Sequence, residues 1–339
     1  MNLLRRLLGW LGPYSGRIAF AFLCMAAYAG FNIATFSGEA GFDIATFSGD
    51  AWFLGATFSG DAWFDSATFS GYLGFGLGIF GGATSFGGAR FEKNANFGAI
   101  DGKSAFSLAG AVFLAVPDFI QAHFAEAPRL DDIHIQPTPV RPKSWADIKK
   151  RFVGDPDLSA RWRALKRLAV QGHDHEGELA FFKGEVKARR WCADKPWQAT
   201  FWFGVLYQWL SDFGRSLIRP LLWWAAGVAG FAWLYLGQHR PLSCVAGPGD
   251  PWHAALGLSL RRSLLFVGQD SADKIKQIYG CLYGIYGHPA NGAAAGGLPP
   301  SFSPVIPDWI AFVGIVQSLF SAVLIFLFLL AVRNHFRIK

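Results

Sequence analysis

One apolar pattern governs the first third of the chain. Phe31, Phe36, Phe42, Phe47, Phe53, Phe58, Phe64, Phe69, Phe75, Phe80, Phe86, Phe91 and Phe97 are spaced by five and six residues in strict alternation, a true period of eleven. Two positions before each stands a small residue, Ala45, Ala56 and Ala67 among them, with Leu73, Gly78 and Thr84 as the departures. Self-similarity of this kind decides the architecture before any single element is assigned. A helix with this repeat is disfavoured, because Gly38, Gly49, Gly60 and Gly71 recur inside it and each costs about 1 kcal/mol in a helix interior. An inward Ala and an inward Phe on either side of an outward residue is a period of two, which is a strand. Ser-Gly and Ser-Gly-Asp then turn corners. Short strands with regular corners wind into a solenoid whose coils bury one another's faces.

The Ala-x-Phe recurrence resembles a pentapeptide-repeat right-handed β-helix in its phenylalanine-centred form. That resemblance implies a quadrilateral coil with Phe as the central inward residue and the preceding Ala filling the remaining interior corner. Phe36, Phe42, Phe47, Phe53, Phe58, Phe64 and Phe69, with Ala45, Ala56 and Ala67, then form the core of the repeats. Faces of five, six, five and six residues give a 22-residue coil. The family pattern is usually strictly five, so Glu39, Asp50, Asp61, Tyr72, Ala83 and Asn94 are expected to bulge at two opposite corners.

Composition adds a charge asymmetry. The 339 residues carry a net charge of +7, and that length accommodates two or three units. Residues 31–115 hold three basic and seven acidic side chains, whereas residues 121–215 hold sixteen and twelve. Four cysteines without CxxC or paired-His spacing do not make a zinc module. Ahead of the repeats, Arg5, Arg6 and Arg17 precede the apolar run from Ile18 to Ala29, and Ala27-Tyr28-Ala29 has the form of a signal-peptidase site. Phe20 and Met25 also keep the five-and-six register, so the same run reads as a degenerate first coil behind an amphipathic cap (residues 1–19). Signal, anchor and coil stay open at this point.

The solenoid is expected to span residues 20–116, its register fading through Phe106 and Phe113. Residues 117–143 are Pro-rich and read as a linker. A basic helical region over residues 144–215 begins with a hairpin. Leu158, Trp162, Leu165 and Leu168 line its first helix at helical spacing. Asp174 caps the second helix, which carries Leu179, Phe182 and Val186, with Glu176 and Glu178 in its first turn and Lys187 and Arg189 in its last, as the helix dipole favours. Trp197 to Leu210 is uncharged and aromatic, suited to a bilayer interface. Apolar runs over residues 216–238 and 309–332 are each long enough to cross a bilayer. Between them lies an expected external loop, residues 239–308, and residues 333–339 form a basic tail. The loop has five Lys or Arg against strongly basic flanks, so both termini are expected in the cytoplasm. Asp212-Phe-Gly-Arg-Ser-Leu and Leu-Ala-Val-Arg-Asn-His-Phe-Arg resemble the tail of bacterial membrane-anchored pentapeptide-repeat proteins, which implies a bacterial inner (plasma) membrane.

Candidate chemistry is sparse. His173-Asp174-His175-Glu176 has metal-ligand residue types, but histidines at i and i+2 point to different sides of a helix, unlike an i, i+4 zinc pair. Helix capping accounts for the cluster without a metal, and no cofactor is expected. The order apolar run, short helix, Phe266-Val-Gly-Gln-Asp270, apolar run has the layout of a cation-channel filter, though the filter Thr and second Gly are missing. Acidic corners suggest nucleic-acid mimicry, yet a net charge of −4 over residues 31–115 is too weak. Cys244 and Cys281, both in the expected outer loop, are a candidate disulfide. No catalytic triad, phosphate loop or carboxylate pair is evident. The reading is a non-enzymatic scaffold whose partners are the lipid bilayer and an unidentified protein met through Trp52 and Trp63. A second copy of the chain is another candidate partner, and nucleic acid is not one. The alternative is a two-span cation pore or transporter subunit regulated by the repeats.

Overall fold

The computed structural model describes residues 18–19, 28–136, 155–190, 192–237, 251–264, 270–283 and 306–338. It divides into two compact units, Met1–Gly204 and Val205–Arg337. The first is a β-solenoid of about five turns followed by helices. Its two- and three-residue strands stack in parallel into four sheets, every partner 22 residues away. In coil order, face one runs through Asp50–Trp52 and Leu73–Gly74, face two through Thr57–Phe58 and Ile79–Phe80, face three through Ala62–Trp63 and Thr84–Ser85, and face four through Thr68–Phe69 and Arg90–Phe91. Faces one and three are therefore opposite, as are two and four. Ile18–Ala19 and Tyr28–Gly30 pair in the same register with Ala40–Gly41 and Asp50–Trp52, as a degenerate first coil does.

Phenylalanine fills the interior in four stacked columns. Phe53 lies 4.6 Å from Phe75, Phe58 5.1 Å from Phe80, Phe64 4.6 Å from Phe86 and Phe69 5.1 Å from Phe91, each nearly parallel. Adjacent columns meet edge to face, as in Phe58–Phe64, so each ring offers both favoured aromatic geometries. Ala56, Ala67, Phe42, Phe47, Phe53, Phe58, Phe64 and Phe69 are buried; Phe36 and Ala45, in the early coils, are partly so. The four corners are of two kinds. At two opposite corners every eleventh residue, from Ile33 to Asp132, takes a left-handed backbone. The other two corners carry the six-residue steps, and there glycines stack on glycines: a Cβ on Gly60 would sit 2.7 Å from the Gly38 carbonyl carbon. Only residues without a side chain allow coils to approach that closely.

The solenoid runs beyond residue 116, which corrects the expected boundary. His123–Phe124 and His134–Ile135 continue two of the sheets, and Asp118 and Arg129 bridge to Asn96 and Ser107 on the others. The prolines that suggest a linker have a different role. Pro117 and Pro128 occupy the inward positions whose N–H, in earlier coils, donates to the coil that follows, as Ala51 does to Tyr72 and Ala40 to Asp61. Proline has no N–H, so neither position presents a ladder donor to be satisfied. Residues 137–143 of the expected linker lie outside the described residues, as do residues 1–17 of the expected cap.

Helices α1 (Leu158–Gln171) and α2 (His175–Arg189) form the hairpin and share the solenoid's core. Gln171 Nε2 donates to the Phe124 carbonyl, and Arg161 reaches Asn94 Oδ1 and Asp118. Asp174 Oδ1 accepts from Gly177 N at 2.9 Å, the expected cap. Trp162, Leu165 and Leu168 bury as their spacing predicts, but α2 buries Phe181, Glu185 and Ala188 instead of Leu179, Phe182 and Val186. The reason is local: the Trp162 indole lies against Gly184, where a Cβ would come within 2.5 Å.

The second unit takes up α3 (Ala199–Ser211) partway and then holds α4 (Ile218–Leu236), α5 (Pro251–Ser263), α6 (Asp270–Tyr283) and α7 (Asp308–Ile338). Among the described residues one helix, Asp308–Phe336, is long and apolar enough to cross a membrane, with a mean hydropathy of 2.6. Of the two runs expected to span, α7 meets that criterion and α4 falls short of it. In α4, Arg219, Pro220, Gly227, Gly230 and three tryptophans dilute the aliphatic content that the shorter helix needs. Phe312, Leu319 and Phe326 form an exposed stripe on α7.

Candidate functional site

On the solenoid, Trp52 and Trp63 are eleven residues apart, half a coil, so they stand on opposite faces and do not form one surface. Each is half-buried. The Trp52 ring packs 4.7 Å from Tyr72 and covers Gly74. The corner acids are also engaged within the fold. Asp50 and Asp61 each accept an N–H from the next coil, from Tyr72 and Ala83, at 2.8 Å. A carboxylate fixed in this way closes a corner of the coil stack.

What the solenoid does expose is an apolar edge at the corner between faces one and two. Ile33 (84% exposed) and Leu77 (63%) occupy the left-handed position there, with Leu54 between them in the middle coil. Trp52 approaches this corner on face one and Ile79 leaves it on face two. The opposite corner carries Asp43, Ile44, Asp65, Ser66, Gly87 and Gly88 and has one exposed apolar side chain, Ile44. A left-handed backbone costs a residue with a Cβ about 1–2 kcal/mol. Strain of that kind kept at an exposed apolar position directs attention to function.

The second unit contains a buried polar node. Gln317, nine residues into α7, is fully buried. Its Oε1 accepts from the Tyr235 hydroxyl at 2.6 Å, and its Nε2 donates to Ser259 O and Oγ at 2.7 Å and to Ser263 Oγ at 2.8 Å. Ser259 Oγ in turn donates to the Val228 carbonyl, and the Ser318 hydroxyl donates to Arg262 O. The Arg262 guanidinium donates to the Tyr279 hydroxyl at 3.1 Å. Gln317, Ser318 and Ser321 are visible in the sequence as polar breaks in an apolar run. Their partners on α4 and α5 are not, although Ser259 and Ser263 at i and i+4 share a helix face.

The remaining candidates separate. His173 adopts a left-handed turn, Asp174 is the cap, and His175 Nδ1 lies 3.5 Å from Glu178. Among the described residues no three His, Cys, Asp or Glu converge as a metal site. Cys244 and Phe266 to Gln269 lie outside the described residues, so the Cys244–Cys281 pairing and the filter do too.

A family model described as pentapeptide repeats, of nine copies, matches residues 31–77. The match covers the coils in which Ala-x-Phe is most regular and stops where Gly78 and Thr84 replace the alanine. No curated protein and no solved structure matches the chain.

Proposed function

We propose that this pentapeptide-repeat solenoid is a non-enzymatic scaffold held at an inner (plasma) membrane, where its apolar edge binds a protein partner. The edge of Ile33, Leu54, Leu77 and Ile79 carries the reading, because the stacked coils align these apolar side chains and leave all four exposed. Membrane tethering is supported by the apolar stripe of α7, only 28% of whose apolar window is buried within the protein. The basic flanks favour cytoplasmic termini, and α4 serves as the second, less apolar span. The exposed Trp202, Phe203 and Trp209 of α3 suit the interface. A pore is the weaker reading, since Gln317, Ser259 and Ser263 are engaged with one another, whereas a pore needs polar groups turned to a water-filled axis. The test places a photo-crosslinking amino acid at Leu77 or at Ser66, on the opposite corner, in intact membranes. A discrete adduct from Leu77 and none from Ser66 is expected. Equal adducts, or none from Leu77, overturn the assignment of the edge.

A further inference from the structure

The polar node fixes where α5 sits. Val228 lies eight residues before the end of α4, and Gln317 nine residues after the start of α7. At about 1.5 Å per residue both are about 12–14 Å from the ends at which the two helices meet the intervening segment. The helices run antiparallel at this point, because Tyr235 meets Gln317 while Phe231 and Gly227 meet Phe320. The C-terminal turn of α5 bonds to both, through Ser259 to Val228 and through Ser259 and Ser263 to Gln317. Ala255 and Leu258 complete the contact and are fully buried with Ala232, Tyr235 and Ile310.

We propose that α5 is a re-entrant half-span helix, embedded between α4 and α7, whose last turn rests near the middle of the bilayer. This rests on the reading of α4 and α7 as spans, and it replaces the expectation of a wholly external loop. A thirteen-residue helix is about 20 Å long, too short to cross a hydrocarbon core of about 30 Å and long enough to reach its middle. Polar groups at that depth have to satisfy one another, and Gln317 with two serines, a tyrosine hydroxyl and two backbone carbonyls does so. Arg261 and Arg262 stand in the last turn, where the helix dipole favours cations, and Arg262 is further held by the Tyr279 hydroxyl and packs over its ring. Leu260 and Leu264, one turn apart and exposed, are the side chains that meet the bilayer interior.

The inference is tested on the full chain in liposomes. An environment-sensitive fluorescent amino acid replaces Leu260, or Leu319 on the exposed stripe of α7, and spin-labelled lipids quench it from the headgroup or from mid-chain. Mid-chain quenching severalfold above headgroup quenching is expected at both positions. If Leu319 shows it and Leu260 does not, α5 lies outside the bilayer and the re-entrant helix is refuted alone. Absence of mid-chain quenching at Leu319 refutes the spanning reading on which it rests. In a Gln317→Leu chain the mid-chain quenching of the Leu260 probe is expected to fall at least twofold; unchanged quenching refutes the node as what holds α5 at depth.

Discussion

At the scale of single residues, the solenoid is filled by volume and not by strict position. Register demands a Phe at 102, where Gly102 stands, and a Cβ there would come within 2.7 Å of the Phe124 ring. Four residues on, Phe106 takes the slot that holds Ala62 and Thr84 in the preceding coils. Its ring packs 5.7 Å from Phe80 and 4.9 Å from Phe124, so one large and one small residue have exchanged places. Phe106→Ala should lower stability by about 3–5 kcal/mol, and Gly102→Phe alone should also destabilise by overpacking. Combined, they should recover at least about 1 kcal/mol relative to additivity, read from hydrogen exchange of the solenoid amides. Strict additivity would show that the two sites are independent. The Phe period was legible because each ring repeats at fixed spacing; this exchange was not, because a register search sees two defects where the interior sees one compensation.

At the scale of elements, the hairpin is held by an ion triad centred on a buried carboxylate. Glu185 accepts from Arg163 Nε at 2.9 Å and Lys166 Nζ at 2.7 Å. Burial by itself would raise its pKa, but hydrogen bonds from Lys166 and Arg163, with their charges, outweigh that and hold the carboxyl below its ordinary 4.5. A carboxyl depressed on folding contributes stability in full above the unfolded value, and that contribution is lost as pH falls through the folded one. Acidification from pH 6 to pH 3 should therefore weaken amide protection in α1 and α2 more in the native chain than in Glu185→Gln. Parallel losses would remove Glu185 from the account. Helical period alone offered several faces for α2. The apolar one was chosen from sequence, whereas Gly184, Ala188 and the ion pairs decide the packing, and those depend on what α1 presents. The αL corners escaped sequence reading for a related reason: Ile33 and Leu77 are residue types that turn chemistry does not suggest.

At the scale of the whole molecule, local repetition fixes the first unit and long-range pairing the second. Gln317 meets Ser259 across 58 residues, a separation no periodicity announces, which is why the α5 segment read as a loop. The solenoid, in contrast, is legible down to its coil length, and one consequence follows from its eleven-residue sequence unit lying in a 22-residue turn. The chain behaves as a dial with two settings. An extra copy of residues 56–66 inserted after Ser66 supplies another Ala-Phe-Ala-Phe half-turn, so the core should close over it with little change in stability. Everything downstream, however, advances by half a revolution: Ile33 and Leu54 stay on one edge while Leu77, Ile79 and the docked hairpin swing to the far side. Two inserted copies complete the revolution and bring them back. Partner crosslinking by the apolar edge should vanish with one copy and return with two, while thermal unfolding of both variants stays close to that of the parent. If one copy leaves crosslinking intact, the partner reads a single coil and not the alignment of three.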